Sequence, residues 1–480
     1  MTVIKRKSGV LMHISSLHGE YSIGSFGKPA FEFVDFLKSS GFSYWQVLPF
    51  CIPDEMGSPY KSEASFAGNP YFIDLPMLAC EGLLSDAELN AAKQYSPFLV
   101  ESERLSRERE ALLRLAASRA QNRTEILDFV KARPQLDNAC RFLALKRANG
   151  GAAWQDFTVF APDPKDYFYF AFTQFHFLRQ WQAVKAYANA KGILVIGDIP
   201  IYVADDSADV FGNRDQFLLN EGGHPTVVAG VPPDYFAKDG QLWGNPLYNW
   251  KKMKADGFLW WRERLSFMLE LFDGVRIDHF RAFEAFWSVP ASAKTAKEGK
   301  WVKGPGMPLI KALKDVAGDK LIIAEDLGDI TDAVRKLVAK SGFPGMRVFQ
   351  FAFLGDPATP HLPHTYEQNC VAYTGTHDNN TLLGYVWELD EATRRKMLEY
   401  CGYTDKNWDR GYDAILRTML QSHAGLVILP VQDLLGFGAD TRMNTPGRPD
   451  GNWCYRITAD QLNSIDVAKY RRLNELYGRM

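Results

Sequence analysis

Cysteine is scarce in this chain: six among 480 residues, at Cys51, Cys80, Cys140, Cys370, Cys401 and Cys454, with no C-x-x-C pair. That scatter suits neither a disulfide framework nor a zinc site, and it points to a reducing compartment, so a cytoplasmic location is expected. An excess of charge of one sign is also missing. Lys and Arg number 55 against 57 Asp and Glu, a net charge of −2, so no global field draws the chain onto nucleic acid or an anionic membrane, and a neutral substrate fits better. No apolar run is long enough to span a bilayer, and the basic N-terminal stretch MTVIKRKSGVLMHISSLHG turns polar too soon for a signal peptide. Repeats and low-complexity tracts are absent, and no G-x-G-x-x-G opens a helix, which argues against an open doubly wound sheet.

What is present is a globular composition, 46% hydrophobic and 23% charged, enough to bury a large core. The chain is rich in aromatics, with 12 Trp, 20 Tyr and 32 Phe. Flat faces suit sugar rings, but core packing is their commoner use. Eight short apolar runs close in polar or Gly/Pro residues: VLMHISS near residue 10, YWQVLPF at 44–50, ILVIGDIPIYV from 193, FDGVRIDHF at 272–280, LIIAEDLG at 321–328, GMRVFQFAF at 345–353, VAYTGTHDN at 371–379 and GLVILPVQDLLG at 425–436. They read as buried parallel strands. Helical stretches such as FEFVDFLKSSG and ITDAVRKLVAKSG alternate with them, so the fold class expected is α/β, a (β/α)8 TIM-type barrel with helical and loop insertions.

We expect residues 1–480 to form a single catalytic barrel. From the second run to the third is about 145 residues, against roughly 30 for a simple βαβ unit. A mainly helical insertion is therefore expected over 75–165. A second insertion, 205–265, contains GVPPDYFAKDGQLWGNPLYNW, too rich in Gly, Pro and aromatics for a helix, and is expected to supply a substrate-covering loop at Gly230–Trp250.

Active sites of such barrels gather at the C-terminal strand ends, so acidic residues ending apolar runs come first. Asp278, the pair Glu325 and Asp326, and Asp378 stand there. A lone Asp at a strand end is more often a turn residue or helix cap. Carboxylates on three separate strands instead suit glycosidic bond cleavage with retention, which uses a nucleophile and an acid about 5–5.5 Å apart. Arg276 lies two positions before Asp278, so on a strand both point the same way; an ordinary interior salt bridge would look identical. His279 and His377 flank candidate carboxylates and could hydrogen-bond sugar hydroxyls. His361 and His364 have H-x-x-H spacing, but the intervening proline disfavours a helix, and a solvated loop is expected there rather than a metal site.

Long blocks along nearly the whole chain carry a resemblance: HISSLHGEYSIGSFG, GSPYKSEASFAGNPYFIDL, GDIPIYVADDSADV, FDGVRIDHFRAFEAFW, IIAEDLG, LPHTYEQNCVAYTGTHDNNT and QDLLGFGADTRMNTPGRPDGNWCYR. In these the chain resembles glycoside hydrolase family 77, the amylomaltases or disproportionating enzymes of the α-amylase clan. The resemblance implies a 4-α-glucanotransferase with Asp278 as nucleophile, Glu325 as acid/base and Asp378 as the residue that strains the sugar toward the transition state. It chooses Glu325 over Asp326, which spacing leaves open. It further implies that Asp198, Arg276, His279 and His377 line the donor subsite, and that Ser58, Tyr60, Asp234, Tyr235, Gln241, Trp243 and Asn444 contact the glucan. Departures from the family pattern are Lys61 and Glu63 after S-P-Y, Ala282 in place of glycine, His18 and Glu20 in place of prolines, and Ser25 in place of aspartate.

The reaction expected is transfer from an α-1,4-glucan donor to the 4-OH of glucose or a maltooligosaccharide, without metal ion or cofactor and without a nucleic-acid or membrane partner. The rival from the same clan is an α-glucan hydrolase, with water as acceptor. A catalytically dead glucan-binding barrel is opposed by the complete carboxylate set, and a Schiff-base aldolase by the lack of a lysine ending any of the eight runs.

Overall fold

A computed structural model of the chain describes residues 4–233, 238–355, 359–405, 407–448 and 450–480. Eight strands close into a barrel: β1 (Lys7–Leu11), β2 (Tyr44–Gln46), β3 (Leu194–Ile199), β4 (Gly274–Ile277), β5 (Leu321–Ala324), β6 (Gly345–Val348), β7 (Cys370–Tyr373) and β8 (Leu426–Pro430). Every neighbouring pair is parallel, and β8 returns to β1. Each of the eight apolar runs supplies one barrel strand. The reason is physical: helices cover the outside and side chains fill the inside, so β4, β7 and β8 are buried at every residue and are mostly apolar rather than alternating, Arg276 in β4 being a charge paired with two carboxylates.

The helices between strands follow local rules. Helix Lys28–Ser39 has Pro29 in its first turn and buries Phe33, Val34 and Leu37. Helix Asp332–Ser341 is capped by Thr331, whose side chain accepts the Val334 N–H, and it stops at Gly342, where φ is 71° and a Cβ would be strained. Between β2 and β3 run the helices Leu75–Cys80, Asp86–Ala91, Glu110–Arg119, Arg123–Lys131 and Pro134–Ala148, followed by the long helix Pro164–Ala190. That long helix buries Phe172, Phe177, Trp181 and Val184. Trp181 donates its indole N–H to the Leu271 carbonyl at 2.8 Å and meets the Phe50 ring edge to face at 4.7 Å. Such aromatic pairs add about 0.5–1.5 kcal/mol beyond area burial and fix the helix against the strands.

A second sheet lies outside the barrel and was not expected from the sequence. Its antiparallel order is Gln241–Pro246, Val227–Val231, Ala285–Pro290, Lys300–Lys303. The segment read as an irregular Gly/Pro/aromatic loop thus contributes strand residues. Val227–Val231 pairs on one side with Gln241–Pro246 and on the other with a partner some sixty positions away, Val228 opposite Val289, and pairing on both sides is what makes so short a segment a strand. Among the described residues no helix is long and apolar enough to cross a membrane.

Gly197 in β3 sits where a side chain has no room, because a Cβ built there would lie 2.1 Å from the Phe272 ring. Gly197→Ala is expected to cost about 1–3 kcal/mol through overpacking. The measurement is the urea midpoint and Tm; a melting curve identical to that of the parent chain would show that Phe272 gives way freely.

Candidate active site

The barrel register builds the centre of the site. Asp198 on β3 lies directly beside Arg276 on β4, and one guanidinium nitrogen donates to Asp198 Oδ2 at 2.6 Å while the other donates to Asp278 Oδ1 at 2.6 Å. Asp278 is the first residue beyond β4, and its N–H is tied to the Ile199 carbonyl at 3.0 Å. Glu325 is likewise the first residue beyond β5, its N–H tied to Ile277 O at 3.1 Å. The peptide ladder therefore delivers both carboxylates to the same end of neighbouring strands. His279 adopts a left-handed backbone, φ 49° and ψ 45°, which only a supported non-glycine residue holds. In that conformation its N–H donates to Glu325 Oε2 at 2.7 Å, and the Leu327 N–H donates to Oε1 at 2.8 Å.

Asp326 turns away to β6, where it accepts the Met346 N–H at 2.6 Å and faces Arg347 at 3.4 Å. Asp378 comes from the turn after β7. Its Oδ1 accepts from Asn444 Nδ2 at 2.6 Å and lies 3.3 Å from His377 Nε2, while its carbonyl accepts from the Arg442 guanidinium. Tyr60, from the loop after β2, donates its hydroxyl to Asp198 Oδ2 at 2.7 Å and stacks on the His377 ring at 5.2 Å with 12° between planes.

Exposure divides the carboxylates. Asp198 is wholly buried and Glu325 is 8% exposed, whereas the side chains of Asp278 and Asp378 are 30% and 41% exposed. Burial, and then the nearby Asp278 charge, raise the Glu325 carboxyl to about 8. Arg276 and the two backbone N–H groups pull the other way and lose. Burial also raises the Asp198 carboxyl, against the opposing Arg276 charge. Burial pushes His279 down to about 4, so its ring is neutral at physiological pH.

A cleft of about 430 Å³ opens over these groups, lined by Ser58, Tyr60, Trp243, Asp278, His377, Asp378 and Asn444. Trp243 also meets the His279 ring edge to face at 5.0 Å. Gln241 is exposed, and its amide oxygen accepts the Trp243 indole N–H at 3.1 Å. Asp234 and Tyr235 lie outside the described residues. Two residues of the site that the sequence reading missed bear on its geometry. Arg442 holds the Asp378 carbonyl, and Trp453 lines the cleft with a left-handed φ of 64°, close to the rings of Tyr60 and His377. Both belong to the block that carries Asn444, which is the only signal that could have found them. His361 corrects its expectation: it is half-buried rather than solvated, and its Nδ1 accepts the Val348 N–H at 3.1 Å. Among the described residues no group of three His, Cys, Asp or Glu could hold a metal ion.

Comparison with known proteins gives the family. The family model described as 4-alpha-glucanotransferase, Glyco_hydro_77, matches residues 12–462. The chain belongs to this family. It is therefore an enzyme, a transferase. It is 42% identical to the 4-alpha-glucanotransferase of Streptococcus pneumoniae serotype 4, with 98% of each chain covered, and 41% identical to that of Clostridium butyricum, with 98% of this chain and 100% of the other covered. Among solved structures it is similar to an amylomaltase from Streptococcus agalactiae in complex with acarbose, with a TM-score of 0.92, 35% identity, and coverage of 99% of this chain and 100% of that one.

Arg276 is the group whose loss the site can least tolerate. Arg276→Met leaves Asp198 buried without a countercharge and is expected to cost about 3–5 kcal/mol near neutral pH. Without the guanidinium, burial keeps the folded Asp198 carboxyl above the roughly 3.9 of an unfolded aspartate. The deficit should therefore be smallest below about pH 4 and grow as the pH rises. Melting both proteins from pH 4 to 8 tests this, and a deficit independent of pH would rule out Asp198 as its source.

Proposed function

We propose that the chain transfers a segment of an α-1,4-glucan to the 4-OH of glucose or a maltooligosaccharide by a retaining double displacement. Asp278 is the nucleophile, Glu325 the acid/base and Asp378 the transition-state stabiliser. The observation that supports this best is the pairing of two unlike carboxyls at adjacent strand ends. One is reachable and bound to Arg276; the other is buried, with its proton affinity raised to about 8. That contrast is what an attacking carboxylate and a protonated partner require at neutral pH. In the first half, an Asp278 oxygen bonds to C1 as the glycosidic C–O bond breaks and Glu325 gives its proton to the leaving oxygen. In the second, Glu325 takes the proton of the acceptor 4-OH, whose oxygen displaces Asp278 from C1.

Substrate contacts follow in the same reading. Asp198, Arg276, His279 and His377 surround the donor sugar, and Ser58, Tyr60, Gln241, Trp243 and Asn444 extend the glucan path; Asp234 and Tyr235 enter on the family resemblance alone. Residues 75–165 and 205–265 are insertions that shape this path on a single catalytic barrel, and the cytoplasm is the proposed location.

Incubation with maltotriose, with products resolved by chain length, separates transfer from its rival. A ladder of longer glucans plus glucose is expected; glucose and maltose without longer products would make the chain a hydrolase. Asp278→Ala and Glu325→Gln should each lower turnover by at least about 10²-fold, and azide should partly restore only Asp278→Ala. Since Glu325 must carry its proton in the free enzyme, kcat/KM should decline as the pH rises through about 8. An alkaline limb that survives in Glu325→Gln would have to belong to another group.

A further inference from the structure

A second, much smaller cavity, about 20 Å³, adjoins the turn that carries Asp378. His377 lines both this cavity and the substrate cleft. The rest of the wall includes His13 and Ser16 beyond β1, Gln432 beyond β8, and Arg442 and Tyr455. Ser16 and Tyr455 are 0% and 6% exposed, yet neither hydroxyl has a hydrogen-bond partner in the protein, and neither bonds to the other. Buried hydroxyls are rarely left unpaired, because desolvating them without a partner is costly. His13 adds a fixed donor to the same wall. Its Nδ1 accepts the Leu48 N–H at 3.2 Å, which puts the proton on Nε2, and burial holds the ring neutral by pushing it down to about 3.

A buried water needs roughly 10–15 Å³ and two to four polar partners. This cavity has room for one and not for a cluster. We propose that a single buried water bridges the Ser16 and Tyr455 hydroxyls here, and that through it these two residues position the His377–Asp378 turn. The water gives each hydroxyl its missing partner and makes the polar wall continuous with His13 and His377. The turn is already held by Arg442 and Asn444, and Arg442 also lines this cavity; the water adds a support that no protein hydrogen bond from Ser16 or Tyr455 provides. Ser16 and Tyr455 are positioning residues, since neither lines the substrate cleft.

The effect on turnover rests on the role proposed for Asp378; the water itself does not. A crystal structure of the full chain resolving ordered waters should place one within about 2.7–3.2 Å of both hydroxyls. Ser16→Ala and Tyr455→Phe should each lower kcat for maltotriose transfer about fivefold with KM unchanged, the loss of one net hydrogen bond in the wall that supports a turn acting in the transition state. The double variant should also fall about fivefold, because both substitutions remove the same bridge. Density without a water between the hydroxyls, single-variant losses that multiply, or a kcat that stays put while only Tm drops would each overturn the proposal. Failure of the parent chain to lengthen maltotriose would defeat the functional reading instead, and the crystal density would still decide the water.

Discussion

The site depends on one cation. Arg276 projects from β4 between a wholly buried aspartate on β3 and an accessible one just past its own strand, at 2.6 Å from each. Burial works against its charge, and the two carboxylates, Asp198 before Asp278, overcome that opposition. Charged pairs this deep are poor sources of net stability, since desolvation offsets most of the Coulomb gain. Their value here is geometric. A planar guanidinium with two short hydrogen bonds fixes the direction in which Asp278 presents its free oxygen, the kind of orientation that the proposed attack on an anomeric carbon requires.

Everything around that cation divides labour by exposure. Asp278 already has its countercharge, and Glu325 next to it is denied one. Glu325 receives two backbone N–H bonds, which taken alone would favour its ionised form, but burial and the negative neighbour outweigh them. The two N–H groups then act as a cradle, holding both oxygens in place whichever one carries the proton. His279 must sit in a left-handed conformation for its N–H to reach Glu325, a local strain of about 1–2 kcal/mol borne by a fully packed barrel.

How much of this was legible in the sequence follows from which contacts are local. The eight barrel strands were, because a strand buried on both faces is apolar at most positions, as LVILP is in β8 at all of them. Asp278 and Glu325 were visible as the acids that end such runs, and the Arg276 to Asp278 pairing as a two-residue spacing. The outer sheet was not, since Ala285–Pro290 and Lys300–Lys303 become strands only by pairing with each other and with Val227–Val231. Arg442 was missed for the same reason: its bond to the Asp378 carbonyl joins positions 64 apart in loops without periodicity. His361 looked like a loop residue, and it is one, but a backbone N–H of β6 finds its ring nitrogen; spacing carries no trace of that.

The placement of strain completes the picture. Four described non-glycine residues have positive φ: Ser22, Phe258, His279 and Trp453. Two of them adjoin the proposed catalytic groups, His279 through Glu325 and Trp453 through the wall it shares with Tyr60 and His377. Strained backbone persists only where its surroundings over-determine it: here His279 is held by its N–H bond to Glu325 and the Trp243 ring, and Trp453 by the rings of Tyr60 and His377. The rings of Tyr60, Trp243 and Trp453 give the cleft three apolar faces beside carboxylates that must meet a sugar hydroxyl rather than water. Such faces are wetted poorly and covered well by pyranose rings, so an acceptor sugar displaces weakly held water and gains contact in the same step. In the proposed reaction the bias toward transfer thus lies in the walls as much as in the acids.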